Sequence, residues 1–299
     1  MTRDQIHGFY LALTAYLWWG LSPLYFKVVS AADPQEVLSH RVIWSVVLLA
    51  VILSLRGKWP QVKETFSSPK IWGWLLLSAL LVSTNWLIFI WSISVDRLVE
   101  SSLGYYINPL VNVLLGVLVL KEKLRLLQGA AVALAAVAVA FLAFQGGQFP
   151  WIALTLAFTF GIYGLIRKRL PVGAQDGLFV ETVMLAPVAI GFLVWSSVRG
   201  EAAFLSISWD LDLLLFLAGA VTTLPLVCFA AAARRLNYST IGMIQYVSPT
   251  VNLLIAVFLF GEIFTWVHAV TFGLIWLAVL LYSSQSLMEM KRIRKQVAL

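Results

Sequence analysis

The chain has 299 residues, of which 61% are hydrophobic and only 12% charged, with a mean hydropathy of +0.90. A soluble domain carries about a quarter charged residues, so this polar surface could not cover a water-facing globule and the natural solvent is lipid. The net charge of +7 does not point to nucleic acid, because the cations sit in short spacers between long apolar runs.

Runs long enough to cross about 30 Å of hydrocarbon occur at 8–30, 35–55, 71–94, 100–120, 126–144, 149–167, 177–198, 211–233, 238–260 and 266–286. They are continuous rather than alternating, which excludes a transmembrane barrel. Lipid offers the backbone no hydrogen-bond partner, so each span is expected to be a helix. The first run follows Arg3 and His7 as a signal peptide would, but its length and Trp18, Trp19, Pro23 and Lys27 mark a retained helix. The connections are short, with 56–70 and 199–210 the longest. The single cysteine, Cys228, lies inside an apolar run and reads as a small buried hydrophobe.

If the amino terminus, alternate loops and carboxyl terminus share one side, 17 of the 21 Lys and Arg fall there, against Arg97 and Arg199 on the other. The positive-inside rule then predicts a multi-pass, inner-membrane-type protein with both termini cytoplasmic.

The chain also resembles itself. Residues 106–122, YINPLVNVLLGVLVLKE, align without gaps with 246–262, YVSPTVNLLIAVFLFGE, with seven of 17 positions identical, including Pro109, Asn112 and Glu122. ALTAYLWWGLSPLYFK (12–27) faces ALTLAFTFGIYGLIRK (153–168) in the same way. Helix one corresponds to helix six and helix four to helix nine. Five spans per half is an odd number, so equivalent helices run in opposite directions. The expected fold class is an all-α membrane protein of ten transmembrane helices in two inverted five-helix repeats, 1–145 and 146–299, the second ending in a basic cytoplasmic tail. Secondary transporters are built this way, with sites near the midplane between the halves.

Polar groups inside spans mark the candidate path. Tyr105, Asn108 and Asn112 share one face of the fourth span at i, i+3 and i+7, and Gln245, Ser248 and Asn252 repeat it on the ninth. These are either facing substrate-binding walls or hydrogen-bonding glue between helices. Pro109 and Pro249 beside them free backbone carbonyls. Glycine and proline around Trp19 (Gly20, Pro23) and at Gly161 and Gly164 point to broken helices or to close packing. Asn85 and Trp86, midway along the third span, either meet the substrate or pack. Lys27, His40 and Arg41 lie toward the outer ends of the first two spans, near enough to the interface to snorkel, and are candidates for a pathway or gate. Glu181, within the seventh span, relays protons, pairs with a cytoplasmic cation or favours its helix start. With no charge at mid-depth, these walls favour neutral or zwitterionic solutes.

AYLWWGLSPLYFK (15–27), HRVIWS (40–45), NWLIFIW (85–91), SLGYYINPLVN (102–112) and IQYVSPTVN (244–252) together resemble the RarD branch of the EamA family, in the drug/metabolite transporter superfamily. The similarity runs over nearly the whole chain. It implies ten helices as a duplicated five-helix unit, cytoplasmic termini and a permease or exporter role. The branch is often labelled by chloramphenicol sensitivity or resistance, and the resemblance supplies no catalytic residues.

The expected function is therefore a secondary transporter of small metabolites or drugs working by alternating access. Its partners are a small solute and the bilayer, with a homodimer left open and no cofactor or metal implied. A passive channel and a scaffold without transport are the alternatives. ATP-driven transport lacks its Gly-x-x-x-x-Gly-Lys-[Ser/Thr] loop. An intramembrane zinc protease lacks His-Glu-x-x-His, since the histidines stand at 7, 40 and 268.

Overall fold

The computed structural model describes residues 3–121, 126–145, 149–233, 235, 236 and 244–297. Its helices are α1 Arg3–Val28, α2 Pro34–Leu55, α3 Trp59–Ser67, α4 Pro69–Ser94, α5 Leu98–Leu120, α6 Leu126–Gln145, α7 Trp151–Arg169, α8 Ala174–Val198, α9 Trp209–Ala233, α10 Val247–Leu254 and α11 Trp266–Val297. A π-helical turn, Ile255–Leu259, continues α10. No strand occurs among the described residues. Five helices, α2, α4, α5, α8 and α9, contain segments long and apolar enough to cross a membrane by length and composition. Shorter apolar helical stretches lie at Gly129–Leu142, Val247–Leu259 and Trp266–Leu281. Glu122 and the start of the ninth expected span, 238–243, lie outside the described residues.

The outer surface is apolar and the interior is partly polar, the reverse of a water-soluble bundle. Val188 is 74% exposed and Phe258 77%, while Asn85, Asn108 and Glu181 are buried. Contiguous exposed apolar surface on this scale requires lipid around it.

One expected loop is not a loop. Residues 56–70 contain α3, which buries Val62 and Thr65, stacks Trp59 edge-on against Phe179 at 5.4 Å and donates from Trp59 Nε1 to Ser54 Oγ at 3.0 Å. Its polar exposed face hid it from a search for apolar runs. Elsewhere carboxylates fix the ends of helices. Asp33 accepts from the Gln35 amide at 2.7 Å and caps α2, with Pro34 beginning the helix. Glu262 reaches back from beyond the π turn to accept from the first two amides of α5, Leu98 at 2.8 Å and Val99 at 2.9 Å. Glu36 likewise accepts from the amides of Ala203 and Phe204.

Prolines inside helices leave carbonyls one turn earlier without their usual donor. At two of them a side chain replaces it. Pro23 frees the Trp19 carbonyl, which accepts from the Ser22 hydroxyl at 2.7 Å. Pro225 frees the Val221 carbonyl, which accepts from Trp18 Nε1 at 3.1 Å. Helix α1 therefore runs unbroken through Gly20 and Pro23, α5 through Pro109, and α7 through Gly161 and Gly164. Of the two sequence readings, the close-packing one describes Gly20 and Gly161.

Packing follows a regular exchange. Helix α1 packs on α9 and α10, and α7 packs on α4 and α5. Helix α2 lies against α8 and α9, α8 against α4 as well, α5 against α10, and α6 against α11. Small residues permit the closest crossings. A Cβ at Gly20 would stand 2.9 Å from Val251 Cβ, and one at Gly161 would stand 2.9 Å from Val111 Cγ1. The tightest crossing is α2 with α9, where a Cβ at Gly219 would lie 2.4 Å from the Trp44 carbonyl carbon, an atom of the backbone. Gly219→Ala is thus expected to cost about 1–3 kcal/mol, the range for overpacking. Gly191→Ala, which meets open space, should be near neutral in the same denaturant titration in mixed micelles.

Candidate functional site

A cavity of about 660 Å³, counting its open mouth, lies among α1, α2, α4, α5, α7, α9 and the start of α10. Asn85, Phe160 and Val221 stand near the middle of their helices, so the cavity is deep in the bundle. Seven of its 15 lining residues are aromatic: Tyr16, Trp19 and Phe26 from α1, Trp86 and Phe89 from α4, Tyr105 from α5 and Phe160 from α7. The rings lock one another edge to face, Trp19 on Phe160 at 6.4 Å and Tyr105 on Phe89 at 5.4 Å. Such contacts fix the walls while leaving ring faces for a guest. Ser22, Asn85, Gln245, Ser248 and Asn252 add hydrogen-bonding groups, and Arg41 adds a charge.

The structure brings together most of the residues singled out in the sequence. Trp19, Asn85, Trp86, Tyr105, Gln245, Ser248 and Asn252 all line the cavity. Asn85 is held rigidly, donating at 2.9 Å to the Leu156 carbonyl and to Thr159 Oγ1 and accepting at 3.0 Å from the Tyr105 hydroxyl. Asn108 and Asn112 do not reach the cavity lining. Asn108 donates to the Ala157 carbonyl at 2.8 Å and accepts from Gln245 Nε2 at 2.7 Å and Asn112 Nδ2 at 3.2 Å. It ties α5, α7 and the approach to α10 into one knot. The common face predicted for Tyr105, Asn108 and Asn112 divides, because neighbouring helices compete for it: Tyr105 turns to the cavity and Asn108 to helix packing.

The charged candidates also separate. Lys27 is half-buried at the end of α1, pairs with Asp96 at 2.5 Å and lies 5.4 Å from the Phe260 ring centre. His40 is buried outside the cavity, where Nδ1 accepts from Trp44 Nε1 at 3.2 Å and the ring packs on Phe204 at 4.6 Å. Glu181 is completely buried where α4, α7 and α8 meet, accepting from the Ser78 hydroxyl, with Arg167 Nη1 3.6 Å away. Of the three sequence readings for Glu181, pairing with a cation is the one its geometry matches.

Arg41 departs most from expectation. It does not snorkel to the interface but is 5% exposed and lines the cavity. Its guanidinium lies 4.9 Å from the Phe26 ring centre and 4.6 Å from that of Trp86, and Nε donates to Thr222 Oγ1 at 2.8 Å. The interior is therefore not free of deep charge, and the inference of neutral or zwitterionic solutes loses its premise. A sequence signal was present. Val37, Arg41, Ser45, Leu49 and Leu53 stand four apart and are all buried, so Arg41 belongs to the inward stripe of α2. No group of His, Cys, Asp and Glu suited to a metal ion occurs among the described residues.

Lipid-facing helices around this cavity define a multi-pass, all-helical membrane protein. The EamA-like transporter family matches twice, over residues 6–144 and 150–284, and the chain belongs to that family. It is 48% identical over 285 residues to an "Uncharacterized transporter" of Vibrio cholerae, covering 95% of this chain and 94% of that protein. It is 42% identical over 293 residues to "Protein RarD" of Escherichia coli K12, covering 98% and 99%. A "Chloramphenicol-sensitive protein RarD" of Pseudomonas aeruginosa is 31% identical over 93% of this chain and 94% of that protein. The relatives thus lie in the RarD branch. A crystal structure 16% identical in sequence superposes with a TM-score of 0.64, covering 93% of this chain and 98% of that one, and shares the fold.

Proposed function

We propose that this chain is a secondary transporter that moves small organic solutes across the bacterial inner membrane by alternating access, with the aromatic cavity as its binding site. The observation that carries the reading is that cavity, deep in the bundle and lined from both halves of the chain. Binding sites near the midplane between repeats are the rule for carriers of this construction. In this reading ten spans form two inverted repeats, 1–145 and 146–299, with both termini cytoplasmic. The exchange of packing partners supports it. Helix α1 meets α9 and α10, and its counterpart α7 meets α4 and α5, the counterparts of those two. Gly20 fits against the Ser248–Val251 stretch, and Gly161 against the aligned Val111 and Asn112. The paired family matches divide at the same place.

Counterflow into sealed proteoliposomes tests the function. A carrier gives saturable, trans-stimulated uptake of some solute in a broad panel, a pore gives linear flux, and a scaffold gives none. The topology is tested separately in a Cys228→Ser background, with single cysteines at Lys121 and Glu262. They should label from opposite compartments, and labelling from the same one would overturn the inverted arrangement.

A further inference from the structure

We infer that the cavity selects organic monoanions, above all carboxylates with a flat apolar body, and that Arg41 is the residue that reads their charge. This deepens the transporter reading and rests on it. Arginine stays protonated under any physiological condition, so the cavity carries a fixed positive charge. Arg41 is almost fully buried, and its Nη1 has no hydrogen-bond partner. Among the described residues no ion pair includes it, and no Asp or Glu lines the cavity. Its direct contacts are two ring faces and the Thr222 hydroxyl, with the neutral phenols of Tyr25 and Tyr105 nearby, and these offset the desolvation of a guanidinium only in part. A carboxylate entering the cavity would supply what is missing, through charge-assisted bonds that an isosteric amide makes more weakly.

The same inventory argues against the other charge classes. A cation would meet Arg41 with no carboxylate to receive it. A zwitterion would satisfy Arg41 but leave its ammonium to ring faces and amide oxygens alone, which offset its desolvation only in part, with no carboxylate to pair it. One positive charge with no balancing acid fits a net charge of minus one. Trp19, Phe89 and Phe160 supply faces for a planar body. On α10, Asn252 Oδ1 is buried without a partner, an acceptor suited to a hydroxyl or amide donor on that body.

The test measures binding to the purified full-length protein by calorimetry, using benzoate, phenylacetate and cinnamate, the amide of each, and benzylamine. At least one acid should bind about tenfold or more tightly than its own amide, as a charge-assisted bond in place of a neutral one allows. Arg41→Gln should abolish that preference, and Arg41→Lys should keep part of it. The acid-to-amide ratio in the unaltered protein stands even if a variant fails to fold. Equal binding of acid and amide, a preference that survives in Arg41→Gln, or no binding of any acid would overturn the inference. Counterflow separates the two claims. Saturable flux confined to neutral or cationic solutes removes the anion assignment and leaves a transporter. Acid binding without saturable flux of any solute removes the transporter and leaves an anion site.

Discussion

Arg167→Met is expected to cost about 3–5 kcal/mol of stability, and adding Glu181→Gln should return most of that loss. Glu181 is fully buried and accepts from Ser78 through Oε1, while Oε2 has no partner. Arg167 supplies the compensating charge from 3.6 Å and is itself anchored by the carbonyls of Gly173 and Ala174, each at 3.2 Å. Gly177 makes room for it: a Cβ there would fall 1.9 Å from Arg167 Nη1. Gly177 and Glu181, one turn apart on α8, thus form a socket for a side chain from α7. Removing the cation leaves Glu181 buried with the Ser78 hydroxyl and the Tyr163 ring beside it, and takes a smaller compensation from buried Asp176; removing the Glu181 charge as well relieves the larger part. Reversible denaturation of the two single variants and the double in mixed micelles gives the coupling directly. A double variant no more stable than Arg167→Met would show that the anchoring carbonyls, and not the ion pair, hold α7 to α8.

The fold was more legible than the site, and the reason is dimensional. Hydropathy is a property of consecutive residues, so the apolar runs each have a helix beneath them. Helix α3 escaped because its apolar content is confined to one face. Direction within a helix needs a second dimension. Ser248 and Asn252 stand opposite Asn108 and Asn112 in the aligned segments, and Tyr105 and Gln245 pair one residue before those segments, so the sequence marks all six as polar positions without saying which of them face the cavity. For Arg41, distance from the end of an apolar run does not measure depth, whereas the stripe Val37, Ser45, Leu49 and Leu53 fixes where its side chain points. Its isolation from any carboxylate is a tertiary fact that no spacing along the chain encodes. Ser22 and Trp18 belong to the same class. A proline in the sequence says that a carbonyl is freed, but not which neighbour satisfies it.

Asn108→Leu bears on both architecture and function, and is expected to cost about 2–3 kcal/mol. Three hydrogen bonds meet at this residue, to the Ala157 carbonyl, Gln245 and Asn112, and bonds of this kind within membranes are worth about 0.6 kcal/mol on average and up to about 1.7 kcal/mol. Leucine keeps the branching at Cγ and leaves no void, so the loss reports the polar knot together with the crowding of two larger methyl groups at a fully buried site, and the freed Gln245 amide, 5% exposed, adds its own desolvation. Asn112→Leu breaks only the longest of the three bonds and should cost under about 1 kcal/mol. The knot joins α5 of the first half to α7 and the approach to α10 of the second, so loosening it frees the cavity wall that Gln245 forms. Binding of a cavity ligand should weaken in proportion to the stability lost, since Asn108 acts by positioning Gln245. Lost binding in an Asn108→Leu protein of unchanged stability would instead mean that Asn108 itself touches the solute, and the polar walls would have to be redrawn with Asn108 among them.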